Sequence, residues 1–406
     1  MSFRLESRST AAQLILSPIA GLAQIAFFGT LLRDLSPFEY GIAAMALMAP
    51  LLLQFLDLGS NYVCFISWNS ISKMDKEVSA VAMGNILLSL ATVTIISIFG
   101  FVTTVALVLF TDQSNFLLLV IALNFINVPF AWIIASIRAV GNHLLYIVCF
   151  NSIWPLSYIF LKILNFVGYR PLVEHSLIPV LFSISMGLLT IPILNSQIKQ
   201  NYDYLSFRDA SFQPRIYITE SFTAALFNIF SALLTHLDKY FVGLLFGAAA
   251  AGSYVSHSII SIGFFSVLSV LFIEKLAKKY SSDFDSKNLI IFFTMSLVFA
   301  FGNYFGTLII FKSVYRAMNF DPLLTIGFSS QIIAFGLNLG LLLRQNIGSI
   351  SKIRTFSAFL ALISFSITTF LFQNFISPRI LPFIWSALTI VSLKVSICAM
   401  SSRWKG

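Results

Sequence analysis

Six charged residues interrupt long apolar runs in this chain: Asp57, Lys162, Glu220, Asp238, Lys239 and Lys394. A charge at bilayer depth is costly, and it persists where it pairs, faces a water-filled passage or meets a charged ligand. The chemistry open to these residues is electrostatic. A lysine would hold an anionic headgroup and an aspartate would hold a cation. Covalent or metal chemistry has no comparable support. Cys64, Cys149 and Cys398 lie far apart without a CxxC or Cys/His spacing, and His143, His175, His236 and His257 are equally dispersed. No metal site, no cofactor and no enzymatic activity are expected.

Asp238 and Lys239 are sequence neighbours. Adjacent helical side chains project about 100° apart, so sequence alone does not pair them. Lys239 facing a cavity would attract an anionic group while Asp238 couples to a cation. The competing reading has Asp238 bridging to another helix and holding its lobe together. Lys162 can line a passage or snorkel to the interface. Lys394 fits snorkelling better, and Glu220 fits an interfacial position. Asp57 precedes Leu58-Gly59, where glycine suggests close helix packing, so its first reading is structural with a gating role left open. Asp57 and Asp238 are the candidates for coupling to a cation. Arg138 and Arg344 each close an apolar span; arginines there set topology, and they can also grip a diphosphate bidentately.

The elements that must position these groups are membrane helices. Of the 406 residues, 58% are hydrophobic and 10% charged, with a mean hydropathy of +0.90. A soluble domain has roughly a quarter of its residues charged and could not cover its surface with so few. The apolar residues fall in blocks of about 20 or more, the length of a helix crossing roughly 30 Å of hydrocarbon. Twelve spans result, near 10–32, 39–67, 78–110, 115–137, 144–168, 174–197, 216–245, 251–273, 288–311, 322–343, 355–375 and 380–400. The first is too long for the apolar region of a cleavable signal and reads as a membrane helix.

The longest polar stretch follows the sixth span. The reading is therefore an all-α integral membrane protein of about twelve transmembrane helices in two six-helix lobes. They comprise 1–198 and 216–406, joined by a linker at 199–215. Internal repeats of this kind are common in transporters. With the N-terminus in the cytoplasm, seventeen of the 25 Lys and Arg lie in cytoplasmic segments. Five lie opposite (Arg33, Arg170, Lys312, Arg316 and Arg379) and three lie within spans (Lys162, Lys239 and Lys394). That asymmetry places both termini inside. The net charge of +9 is dispersed over short loops, which suits lipid headgroups and excludes nucleic acid as a partner. Pro18, Pro50, Pro129, Pro155, Pro179 and Pro192 are expected inside helices of the first half, and Pro214, Pro322, Pro378 and Pro382 at helix ends of the second. This predicts a first half that bends more than the second.

Two stretches carry a family resemblance. One is Leu32-Arg33-Asp34-Leu35-Ser36-Pro37-Phe38-Glu39-Tyr40-Gly41 with Leu56-Asp57-Leu58-Gly59. The other is Leu237-Asp238-Lys239-Tyr240-Phe241-Val242-Gly243 with Ala251-Gly252-Ser253-Tyr254. Both resemble the polysaccharide exporters, or Wzx-type O-antigen flippases, of the multidrug/oligosaccharidyl-lipid/polysaccharide superfamily. The stretch from Leu237 is the more specific. Gly41 and Gly252 occupy equivalent places in the two halves, which supports an internal repeat.

The resemblance implies two lobes around a central cavity that opens alternately to each side of a bacterial inner membrane. Its cargo would be an oligosaccharide repeat unit on a polyprenyl diphosphate. Moving a diphosphate and many hydroxyls through hydrocarbon is prohibitive without a polar path. Lys162, Lys239, Arg138 and Arg344 are then the candidates to bind the lipid-linked oligosaccharide, and a proton or sodium ion is the candidate coupling partner.

Other readings remain beside it. A cation-coupled multidrug antiporter of the same superfamily would use acidic residues such as Asp57 and Asp238. A peptidoglycan-lipid flippase would have two more helices and several cavity arginines. A major-facilitator transporter would carry a "G-x-x-x-D-R-x-G-R-R" pattern, which the loop from Trp68 to Glu77 lacks. An oligosaccharide polymerase would carry a large external loop with arginines, and a glycosyltransferase an acidic nucleotide-sugar site. Asp283-Phe284-Asp285 matches such a site by letter but sits in a short lysine-rich turn.

Overall fold

Each apolar block forms helix, because a helix satisfies its own backbone hydrogen bonds where no water can. The computed structural model describes residues 2–52, 57–71, 76–111, 116–170, 172–201, 210–273, 286–343, 347–372 and 374–402. The first half runs α1 (Ser2–Asp34), α2 (Pro37–Leu52), α3 (Ser60–Ser70), α4 (Lys76–Thr111), α5 (Phe116–Ala139), α6 (His143–Phe166) and α7 (Ile178–Asn201). A 3₁₀ turn, Val173–Leu177, leads into α7. The second half runs α8 (Pro214–Phe246), α9 (Ala248–Ile273), α10 (Ser286–Ser313), α11 (Pro322–Leu343), α12 (Ile347–Leu371) and α13 (Leu381–Ser402). Among the described residues nine helices are long and apolar enough to cross a membrane. The chain is an all-α, multi-pass membrane protein.

Eleven of the twelve expected spans correspond to one helix each; the second does not. It breaks into α2 and α3 at Asp57-Leu58-Gly59, where Leu58 has φ 44° and Gly59 φ 76°. Two successive left-handed residues reverse the helical path, and a bulky leucine in that region is uncommon. Asp57 compensates for the break. Its Oδ1 accepts the Gly59 N–H at 3.1 Å and its Oδ2 accepts the Asn61 N–H at 3.2 Å, serving donors that the start of α3 would otherwise leave open.

Proline placement follows helix chemistry. Pro37, Pro214 and Pro322 each open a helix, where the missing N–H costs nothing. Pro18, Pro129, Pro155 and Pro192 lie inside α1, α5, α6 and α7. Pro179 differs from expectation: it is the second residue of α7, a first-turn position where it introduces no kink. The turn before α2 is a reciprocal capping box. The Ser36 N–H and hydroxyl both donate to Glu39 Oε2, at 2.9 and 2.7 Å, and the Glu39 N–H donates to Ser36 Oγ at 3.3 Å.

The chain divides into two compact units. The first comprises Met1–Ala20, Ala46–Tyr169 and Glu174–Ala232; the second comprises Gly21–Met45, Arg170–Val173 and Leu233–Gly406. Helices α1, α2 and α8 therefore each contribute to both. The first unit centres on Cys64, Trp68, Ile86, Val93, Trp132 and Ile137. There the Trp132 indole N–H donates to Ser89 Oγ at 2.7 Å, and the Ser89 hydroxyl donates to the Ser60 carbonyl at 2.8 Å. The second unit centres on Val242, Ala251, Tyr254, Leu324, Phe328 and Phe365. Buried hydroxyls such as Thr30, Ser136 and Ser256 donate to the carbonyl four residues earlier on their own helix, the usual way a hydroxyl is accommodated away from water.

Candidate functional site

Within the second unit, α2 and α9 approach so closely that only glycine fits. A Cβ on Gly41 would run into the Ala248 carbonyl, and one on Gly252 would lie 2.9 Å from the Tyr40 ring and 3.2 Å from the Gly41 Cα. Beside this crossing the buried Tyr40 hydroxyl bonds Ser256 Oγ at 2.6 Å. The Tyr240 hydroxyl of α8 donates to the Met45 carbonyl at 3.1 Å. The two stretches that carry the family resemblance thus pack on each other through Tyr40-Gly41 and Gly252.

The same packing seats a buried charge cluster. Lys239 Nζ lies 2.8 Å from Asp238 Oδ1, and the Tyr254 hydroxyl of α9 donates to Asp238 Oδ2 at 2.7 Å. Asp238 is 1% exposed and Lys239 2%. The Cα–Cβ directions of these neighbours diverge along the helix, and the long lysine stem closes that angle. The partner that Asp238 finds on another helix is a phenol rather than a cation. Desolvating two charges costs several kcal/mol, so such a pair persists only where its geometry and hydrogen bonds are good. His236, one turn before Lys239, is 7% exposed, and its Nδ1 has no hydrogen-bond partner.

The remaining candidates are not part of this cluster. Asp57 lies in the first unit as the cap of α3. Arg138 ends α5 with an exposed guanidinium set 5.9 Å from the Phe65 ring and 5.4 Å from the Tyr146 ring. The two rings hold the cation in place while its donors stay available to an anion. Lys162 is exposed on α6 with Nζ 5.5 Å from the Tyr158 ring. Lys394 is exposed on α13 and Glu220 is exposed near the start of α8. Arg344 lies outside the described residues.

Two members of the buried cluster were not singled out from sequence. Tyr254 had a signal, since it ends the Gly-Ser-Tyr of the resembling stretch, but nothing in that spacing says that its hydroxyl meets Asp238. His236 had none beyond being polar in an apolar run. Another polar group of the second unit lies just before α11 and α13. There the Asp321 Oδ1 caps α11 through the Leu323 and Leu324 N–H groups, and Oδ2 pairs with Arg379 at 2.6 Å. Among the described residues no group of three or more His, Cys, Asp or Glu could hold a metal ion.

No family model and no curated protein matches the sequence. Solved structures do. An inward-facing multidrug resistance MATE-family transporter of the MOP superfamily aligns at TM-score 0.60 and 13% identity, over 97% of this chain and 98% of that one. A Vibrio cholerae MATE transporter aligns at TM-score 0.56 and 14% identity over 98% of both. A MOP-superfamily transporter from Pyrococcus furiosus, described as having a binding pocket of reversed polarity, aligns at TM-score 0.52 and 14% identity, over 97% of this chain and 95% of that one. Across its whole length the chain has the MOP-type fold of these transporters.

Proposed function

We propose that the chain is a membrane transporter that moves polyprenyl-diphosphate-linked oligosaccharide from the cytoplasmic to the outer leaflet of a bacterial inner membrane by alternating access. The observation that carries this reading is the buried Asp238–Lys239 pair bonded to Tyr254. It joins the two parts of the stretch that resembles polysaccharide flippases, and it lies in a fold shared with transporters of the same superfamily. Lys239 is the group that meets the diphosphate. Exchanging Asp238 for a headgroup oxygen keeps its charge compensated throughout, so neither state leaves a bare ammonium in hydrocarbon. Arg138 and Arg344 receive the headgroup at the cytoplasmic mouth, Lys162 lies along its path, and the lipid tail stays in the bilayer. A proton or sodium ion taken up at Asp238 or Asp57 drives the return.

The second reading is a cation-coupled multidrug or metabolite antiporter, favoured by the similarity to MATE transporters. Deleting the gene in its own host separates the two. Flipping requires lipid-linked repeat units to accumulate on the cytoplasmic leaflet of the deletion strain. Unchanged surface glycan together with drug sensitivity assigns the chain to export instead.

A further inference from the structure

A cleft of about 320 Å³ lies wholly within the first unit, between α3, the first turns of α4 and the first turns of α8. None of its residues belongs to the Asp238–Lys239 cluster. Its walls are aliphatic, and its polar members are Ser67, Ser70, Glu77, Asn85 and Glu220. Their two acidic groups are carboxylates, and among the described residues no lining residue is cationic. The Ser70 hydroxyl already donates to the Ile66 carbonyl, so it can offer a ligand only its lone pairs. Asn85 is 6% exposed and lines the cleft, and its Oδ1 has no hydrogen-bond partner. Neither Glu77 nor Glu220 has an ion-pair partner among the described residues.

The surrounding contacts fix these groups in place. The Tyr217 hydroxyl bonds Ser60 Oγ at 2.9 Å and donates to Thr92 Oγ1 at 3.0 Å, which ties the first turns of α8, and with them Glu220, to α3 and α4. The Ser211 N–H donates to the Ala80 carbonyl at 2.9 Å, seating the entry to α8 on α4. Two carboxylates held around one small cleft repel each other, and a buried amide oxygen without a donor costs free energy. One kind of ligand relieves both. An anion is excluded by the same charges, and among the described residues no third carboxylate, imidazole or thiol joins Glu77 and Glu220 to make a metal-holding group.

We propose that this cleft is a binding site for a monovalent cation, held by the Glu77 and Glu220 carboxylates and the Asn85 amide oxygen. The site stands whatever the cargo of the transporter is. The ligand is either an alkali ion or an ammonium group on a small apolar body, which the aliphatic walls would accept.

Calorimetric titration of the purified full-length protein in detergent, with sodium chloride and separately with tetramethylammonium chloride at constant ionic strength, tests the site. Saturable binding is expected for at least one probe. Sodium alone identifies an inorganic-ion site, and tetramethylammonium identifies an organic-ammonium site. Glu77→Gln and Glu220→Gln should each weaken binding by about tenfold. Asn85→Leu should weaken it with both carboxylates intact, whereas Glu174→Gln, outside the cleft, should leave it unchanged. On the wild-type protein the bound probe should also protect Glu77 and Glu220 from carbodiimide labelling, a measurement that needs no variant to fold. Absence of saturable binding for both probes, binding unchanged in the Glu77→Gln/Glu220→Gln double variant, or no protection overturns the assignment.

Discussion

Tyr254 donates a 2.7 Å hydrogen bond to the Asp238 carboxylate from a different helix, sixteen residues further along the chain. The carboxylate is held between that phenol and the Lys239 ammonium, and all three side chains are buried. Removing the phenolic oxygen alone leaves Asp238 short of one donor without opening a cavity. Tyr254→Phe is expected to destabilise the second unit by about 1 kcal/mol, the scale of an interhelical hydrogen bond in a membrane protein. Thermal unfolding of the purified protein in detergent measures this, and an unfolding temperature equal to that of wild type would remove the bond from the energetics.

The ion pair should behave as a unit. Asp238→Asn or Lys239→Met alone leaves one buried charge uncompensated and is expected to cost about 3–5 kcal/mol. Replacing both removes the charge altogether, so the double variant should be more stable than either single one. Unfolding temperatures of the three variants decide the point; losses that simply add would show that the two groups do not depend on each other.

The crossing of α2 and α9 tolerates no side chain at Gly41, where a Cβ meets the Ala248 backbone. Backbone cannot rotate away as a flexible side chain can. Gly41→Val should yield little monodisperse protein on size-exclusion chromatography. Gly21→Ala in α1, where nothing lies within 4 Å of the added carbon, should behave as wild type. Equal yields from both would contradict the close approach.

Asp57 has a local role that its position in an apolar run disguises. Asp57→Ala removes acceptors from two backbone N–H groups at the start of α3 and should cost about 1–2 kcal/mol. Hydrogen exchange resolves the effect by place. The amides of Gly59 and Asn61 should exchange faster in the variant while those of α5 do not. Uniform acceleration would mean that the whole unit loosens.

Helix class and the places of most helices are legible in the sequence because apolar blocks of membrane length admit almost no other structure. The break in the second span is not, although its residues are in view. In the sequence Gly59 reads as a packing glycine, and it does pack against α8, where its added Cβ would strike the Ser221 carbonyl. The same residue also takes a left-handed conformation that splits the helix, and a hydropathy run does not show dihedral angles. At the charge cluster, residue types and the two resembling stretches pointed to Asp238 and Lys239. Their mutual pairing depends on a lysine rotamer, and the bond from Tyr254 depends on how α8 and α9 pack; neither is written in spacing. Asn85 was invisible for a plainer reason. A single asparagine in a long apolar helix looks the same whether its oxygen is satisfied or not.

The most direct measurement follows lipid-linked oligosaccharide, taken from the deletion strain, across the membrane of liposomes that contain the purified protein. Leaflet position is read by a membrane-impermeant oxidant of the sugar. Wild-type protein should move the headgroup between leaflets faster than empty liposomes do, and Lys239→Ala, reconstituted at equal density, should not. Movement at the empty-liposome rate with wild-type protein, or undiminished movement with Lys239→Ala, would contradict the assignment of Lys239 to the headgroup path.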